Sequence, residues 1–209
     1  NLLDSYSQYG QDAYCFNKYF SNQETGTFLE IGADDGIDKS NTFFYEKKGW
    51  KGLCVEPSPK RFELLRINRN CVCENYAISE EEGEMEFMDI SGWGKGLSGL
   101  VNEYEETHKK RIEGELKNPG NKGHEVVLVN TVPLSKVLNK HLFSHIDFCS
   151  IDVEGGELSV IKSIDFNQCT FGVMIIENNY GDNSVELYLN SVGYIKKESL
   201  KIDDLYIPR

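Results

Sequence analysis

The sequence predicts an α/β domain: a mainly parallel, doubly wound sheet that ends in an antiparallel hairpin edge. Three observations carry this. Short apolar runs alternate with amphipathic segments from Thr27 to Gly193, the pattern of strand–helix crossovers. Polar residues gather where those runs end, at Gly32–Gly36, Glu56–Ser58, Asp152–Gly155 and Glu177–Asn179. Open α/β sheets take their ligands at such strand ends. Two short alternating segments close the chain. With 209 residues there is enough chain for one domain with a real core, so 1–209 is read as a single domain.

Taken in order, "TFLEI" (27–31) reads as a buried strand, and "NTFFYEKKG" (41–49) as a helix closed by Gly49. "GLCVE" (52–56) is a second strand. "SPKRFELLRINRN" (58–70) is a helix, with Ser58 as N-cap and Pro59 at the first helical position. "CVCENYAI" (71–78) is a third strand, and 79–90 an acidic turn leading into an alternating edge strand. Residues 91–123, rich in glycine and charge, form a long excursion with some helix around Glu103–Lys110. Excursions of that length in compact domains are usually functional or disordered, and this one is read as an acceptor-side insert. Strands at 124–132, 146–151 and 171–177 then alternate with helices after Pro133, at 156–164 and at 183–193. "YIKKES" and "DDLYIP" make the hairpin.

The net charge is −12, which repels phosphates and argues against nucleic-acid partners. No apolar run is long enough to span a bilayer, so no membrane insertion is expected. The six cysteines form no C-x-x-C pair, and four of them sit in apolar, strand-like segments. They read as buried, reduced thiols and point to a cytoplasmic setting. The chain begins at Asn1, not Met, and is therefore expected to be a piece of a larger protein.

"FLEIGADDG" (28–36) is a glycine-punctuated turn that carries acids. A dinucleotide site would use G-x-G-x-x-G with the pyrophosphate at a helix N-terminus. Here the spacing is Gly32-x-x-x-Gly36, with Asp34 and Asp35 inside the turn and Glu30 just before it. Carboxylates there would repel a pyrophosphate by roughly 1–4 kcal/mol per close pair. A ligand with a sulfonium and an ammonium would gain instead, which points to S-adenosylmethionine. Glu56 at the end of the second strand can accept hydrogen bonds from vicinal ribose hydroxyls, a feature shared with NAD sites. Asn75 and Ala77 can border an adenine.

"FLEIGADDG", "NTFFYEKKGWKGLCVEPSPKRFELLRINR", "AISEEEG" and "SIDVEGGELSVIKSI" resemble the FkbM-type methyltransferases. The resemblance covers most of Ser7–Glu177 and is weak across 91–123. It implies a Rossmann-like class I fold, S-adenosylmethionine as methyl donor, and O-methylation of a sugar or glycan hydroxyl. Carried over residue by residue, it implies cofactor positions at Glu30, Gly32, Gly36, Thr42, Glu56, Ser58, Asn75 and Ala77. Ala33, Asp35, Pro57, Ser98 and Asp152 complete the candidate cofactor set. Partners would be a sugar or oligosaccharide acceptor and other glycan-synthesis domains of a parent chain.

A sugar hydroxyl is a poor acid, so its transfer needs a base or a metal. The catalytic candidates are Asp152, Glu154 and Glu177. Asp152, Glu177 and Asn178 also match in type the acid and acid–Asn pair that hold magnesium in catechol-type O-methyltransferases, so Mg2+ or Mn2+ is a candidate cofactor. The lysine base usual three residues after the first acid is replaced by Gly155. His108, His124, His141 and His145 are alternative bases, and Trp93, Tyr104, Lys109, Lys110 and Arg111 can close over an acceptor. Two rival readings are a nucleotide- or NAD-dependent sugar-modifying oxidoreductase and a non-catalytic cofactor-binding domain.

Overall fold

The computed structural model describes residues 5–92, 97–103, 106–117 and 121–209. A large sheet has seven strands, and beside it lies a smaller sheet of four. In chain order the large-sheet strands are β1 (Thr27–Ile31), β2 (Lys51–Val55), β3 (Val72–Glu74), β8 (His145–Ile151), β9 (Thr170–Glu177), β10 (Tyr194–Leu200) and β11 (Asp203–Pro208). Their order across the sheet is β10-β11-β9-β8-β1-β2-β3. β3, β2, β1, β8 and β9 pair in parallel. β11 runs antiparallel between β9 and β10. The hairpin is thus antiparallel as expected, but its second strand lies inside the sheet and its first strand forms the edge.

Helices cover both faces, as double winding requires. Strand residues alternate faces, so Leu29, Ile31, Leu53, Val55 and Ile151 look one way. They pack on α5 (Leu134–Lys140), α6 (Glu157–Lys162) and α7 (Ser184–Ser191) through Leu138, Val160, Ile161 and Leu189. Phe28, Cys54, Phe148 and Val173 look the other way. They meet α2 (Phe43–Lys47), α3 (Pro59–Asn68) and α1 (Gln11–Tyr19). α1 is absent from the sequence reading, although its Ala13, Cys15, Phe16 and Tyr19 pack into the core on this face. It is held by Asp12, whose carboxylate accepts from Ser5, Ser7 and the Tyr6 amide, and by Gln11 donating to Asp203.

The expected third strand, 71–78, is two strands. β3 stays in the large sheet, while β4 (Ala77–Ile78) belongs to the small one, so the chain changes sheets at Asn75 and Tyr76. The small sheet runs β4-β7-β5-β6, with β5 (Gly83–Gly92), β6 (Gly99–Leu100) and β7 (Asn121–Val132). β5 pairs antiparallel with β7 from Gly83↔Thr131 to Ile90↔His124. β5 is therefore not an edge strand, because the two residues of β6 pair outside it. The excursion 91–123 joins the far ends of this ribbon. Its helix, α4, spans Glu106–Leu116. Among the described residues no helix is long and apolar enough to cross a membrane.

One buried ion pair ties β1 to α3. Arg69, at the C-cap of α3, is buried and donates to Glu30 (3.2 Å), Glu46 (2.7 Å), the Gly36 carbonyl (3.1 Å) and the hydroxyls of Ser40 and Thr42. Glu30 also accepts from Ser40, Thr42 and the Asn41 amide. Removing one partner leaves a charge buried without compensation, at about 3–5 kcal/mol. Arg69→Met is expected to lose stability on that scale in urea titrations. Arg69→Lys is expected to recover little, because a point ammonium cannot reproduce the planar fork.

Candidate active site

The turn after β1 is shaped by two close approaches. Gly32 has φ +83°, and a Cβ there would lie 1.7 Å from the Asp152 carbonyl oxygen. Gly36, also at φ +83°, lies against Arg69 and Leu65, both 2.7 Å from a built Cβ. The Gly32 and Ala33 amides donate to the Val55 carbonyl, so the turn folds toward the end of β2. There Glu56 accepts from the Asp34 amide (2.8 Å) and the Ser58 amide (2.9 Å). One carboxylate thereby fixes two loops, and each of its oxygens keeps a lone pair. Burial, partly opposed by the Arg61 charge, pushes Glu56 up to about 7.

These loops wall a cavity of about 980 Å³ counted out to its open mouth, a ligand-sized space. Its polar side holds Asp34, Glu56, Asp152 and Glu154, and its apolar side Tyr76, Ala77, Ile78, Phe87 and Leu100. The apolar side thus comes largely from the small sheet. Of the residues predicted for the cofactor, Glu30, Gly32, Ala33, Glu56, Pro57, Ala77, Ser98 and Asp152 line the cavity. Asp35, Gly36, Thr42, Ser58 and Asn75 stand behind that wall as supports. Asp35 accepts from the Ile37 and Asp38 amides, and Thr42 donates to Glu30. Ser58 caps α3 and donates to Asp89, and Asn75 donates to the Glu56 and Pro57 carbonyls. Glu30 reaches the wall with its carboxylate turned inward, to Arg69.

Arg61 is a wall residue absent from the sequence reading. It pairs with Asp34 (3.5 Å) and Asp89 (3.2 Å) and donates to Ser98 (2.7 Å) and the Ile90 carbonyl. It fastens α3 to β5. No spacing in the sequence signals it, because β5 meets α3 only through tertiary packing.

A second cavity opens at the ends of β8 and β9, lined by Glu80, Glu157, Glu177, Asn178, Asn179 and Tyr180 among others. Glu154 lies in the walls of both cavities. Crowding by the surrounding protein, then the charge of Glu177, holds Asp152 well above the usual carboxylate range. Burial, then Asp152, pushes Glu154 up to about 9. Burial, then Glu154, pushes Glu177 up to about 8. From α4, Arg111 bonds Tyr180 and places its charge near Glu154 and Glu177. The excursion therefore reaches the acids through Arg111.

Carboxylate oxygens of Asp152, Glu157 and Glu177 lie within 4.8 Å of one another, a spacing that suits a metal ion. The predicted third ligand, Asn178, is engaged elsewhere. Its amide donates to the Asp182 carbonyl and to Asp204, and accepts from the Asp182 amide. Glu157, directly after the glycine pair, joins Asp152 and Glu177 instead; a third acid in "DVEGGE" was the available signal. His124, His141 and His145 line neither cavity. The side chains of Trp93, Tyr104 and His108 lie outside the described residues.

The family model of the methyltransferase FkbM domain matches residues 30–196. No curated protein matches the chain in sequence at a significant level. Among solved structures, precorrin-6y C5,15-methyltransferase from Geobacter metallireducens GS-15 is similar at 14% identity and TM-score 0.46. The match covers 95% of this chain and 86% of that one. The METTL16 MTase domain is similar at 10% identity and TM-score 0.47, over 95% and 65%. A putative sarcosine dimethylglycine methyltransferase from Galdieria sulphuraria is similar at 12% identity and TM-score 0.40, over 90% and 61%.

Glu56, Glu177 and Glu154 bind protons more tightly folded than unfolded, where a carboxyl titrates near 4.3. Their contribution to stability is complete at low pH and is lost as pH rises through about 7, 8 and 9. With a chelator present, the thermal midpoint is expected to fall steadily between pH 6 and pH 9. The slope is at most about 1.4 kcal/mol per pH unit for each group. Glu154→Gln is expected to flatten it, as differential scanning fluorimetry across that range can check.

Proposed function

Because the chain belongs to the FkbM methyltransferase family, we propose that it carries a methyl group from S-adenosylmethionine to a hydroxyl of a sugar or glycan. It is an S-adenosylmethionine-dependent methyltransferase; the acceptor class and the residue roles are the step proposed. The observation that carries the reading is Glu154, which stands in the walls of both cavities.

The first cavity fits the donor. Its carboxylates suit a sulfonium and an ammonium, and its apolar side suits a purine. The free lone pairs of Glu56 suit the ribose hydroxyls. Of the two cations on its wall, Arg61 is matched by Asp34 and Asp89, and Lys39 places its charge near Glu154. The second cavity is polar and hydroxyl-compatible, with Asn179 and Tyr180 on its wall. S-adenosylmethionine supplies an electrophilic methyl carbon. The chain's part is to align an acceptor oxygen and take its proton. A carboxyl raised toward 8–9 is a far better base than an ordinary one. Glu154, between the two cavities, is assigned that role. Burial and the charges of Asp152 and Glu157 hold it there, and Asp152 and Glu177 orient the acceptor. Where Mg2+ or Mn2+ is used, Asp152, Glu157 and Glu177 would hold it, and it would lower the pKa of the hydroxyl.

Calorimetry is expected to show binding of S-adenosylmethionine and its demethylated product, and none of NAD; the reverse result would defeat the donor assignment. In a donor-turnover assay with candidate oligosaccharides, Glu154→Gln is expected to lower kcat by about 10²–10⁴ with donor affinity little changed. The same assay with chelator, then with Mg2+ or Mn2+ restored, reads the metal directly: unchanged turnover in chelator removes it from the scheme.

A further inference from the structure

Three cysteines crowd the edge of the large sheet, away from both cavities described above. Cys54 lies in β2, and Cys71 and Cys73 lie beside it at the start of β3. All three join the same apolar cluster on the α1–α3 face. The sulfurs of Cys54 and Cys71 are 3.6 Å apart. Cys73 donates to the Cys71 carbonyl. Cys54 is fully buried, whereas Cys71 is partly exposed. Cys71 also lines an open groove whose rim carries Lys47, Lys51 and His141. One sulfur is thus reachable from solvent, with a second placed directly behind it.

We infer that Cys71 is an oxidation site for hydroperoxides, and that Cys54 resolves it to an intramolecular disulfide. The surroundings favour the reactive form of the outer sulfur. Hydrogen bonding with Cys54 and Cys73, and the Arg69 guanidinium, hold the Cys71 thiol well below its usual range. The chemistry balances with the peroxide as sole oxidant. The Cys71 thiolate attacks a peroxide oxygen, the O–O bond breaks, and hydroxide leaves from a sulfenic acid. Cys54 then gives its proton to that hydroxide and attacks the Cys71 sulfur. The S–O bond breaks, and the hydroxide that leaves takes up from solvent the proton the Cys71 thiol gave up on ionising, so that a second water departs. Two thiols supply two electrons, and the peroxide ends as water. The two sulfurs must close from 3.6 Å to about 2.05 Å.

That closure acts on the support of the donor cavity. Cys54 lies 3.9 Å from the Glu30 carboxylate, and Cys71 is two residues from Arg69. Both ends of the new bond therefore pull on the pair that holds the first turn. The pull on donor affinity rests on the donor assignment above; the cross-link does not.

The test treats reduced protein with stoichiometric hydrogen peroxide and maps thiols by peptide mass spectrometry without reductant. Cys71 is expected to lose its thiol at least about tenfold faster than Cys149 or Cys169, and to appear joined to Cys54. Cys73→Ser is expected to keep that link. Cys54→Ala is expected to leave a sulfenic acid at Cys71 that dimedone traps. A Cys71 that stays reduced, or pairs with Cys73, overturns the inference. Oxidised protein is expected to bind S-adenosylhomocysteine several-fold more weakly, with affinity restored by dithiothreitol and unaffected in Cys71→Ser. A link that forms without changing that affinity overturns the coupling. A reduced protein that does not bind the probe at all would speak against the donor assignment and leave the link to the mass map.

Discussion

A charge pair taken out of water holds the cavity-bearing end of this protein together. Glu30 sits in the middle of β1, on a face otherwise made of Phe28, Phe148 and Cys54, where a lone carboxylate would be costly. Arg69 comes to it from the end of α3 and answers two acids at once, Glu30 and Glu46. The same guanidinium reaches the Gly36 carbonyl and the hydroxyls of Ser40 and Thr42, so the whole connection between β1 and α2 is pinned from beneath. Phe28 and Phe43 flank its plane, each 5.3 Å away. With the lower side of the turn occupied in this way, its upper side is left to face the cavity.

That division explains how so acidic a chain arranges its acids. Some are neutralised in place, as Glu30 is by Arg69 and Asp89 by Arg61. Others are grouped at the ends of β8 and β9 with little opposing charge, and the protein tolerates them by keeping protons on them. The first kind builds walls. The second kind stores affinity for whatever positive charge enters, since a cation recovers the Coulomb energy that the empty site suppresses.

Much of this was legible in the sequence. The strand–helix alternation and the polar strand ends named the sheet and its working edge, because both are local patterns with a fixed period. Gly32, Glu56, Asp152 and Glu154 could be read because each follows a recognisable apolar run. What escaped depends on contacts between distant segments. α1 is anchored by Asp12 and Gln11 as well as by Ala13, Cys15 and Phe16, and the partners of both polar side chains lie outside the helix. The break at Asn75 exists because Ala77 and Ile78 pair with β7, more than fifty residues later. Arg61 looked like an ordinary charge on a helix, and only β5 gives it a role. Thr42 fell among the expected cofactor residues and stands behind the cavity wall, whereas Glu30 lines the cavity while its carboxylate turns to Arg69. The motif is real, but adjacency in a motif does not separate a ligand's neighbours from their supports.

The long β5–β7 ribbon gives this architecture a natural place to vary. It leaves and rejoins the body at paired positions, so whatever lies between its far ends can grow, shrink or be exchanged without disturbing strand register elsewhere. Lengthening such a loop carries a small entropic penalty, about 0.6 kcal/mol per doubling. The ribbon meanwhile contributes Phe87 to the first cavity beside Ala77 of β4, and Leu100 of the excursion pairs with Phe87 there. Change confined to the span beyond Leu100 therefore leaves the register of β5, β6 and β7, and the cavity wall they build, in place.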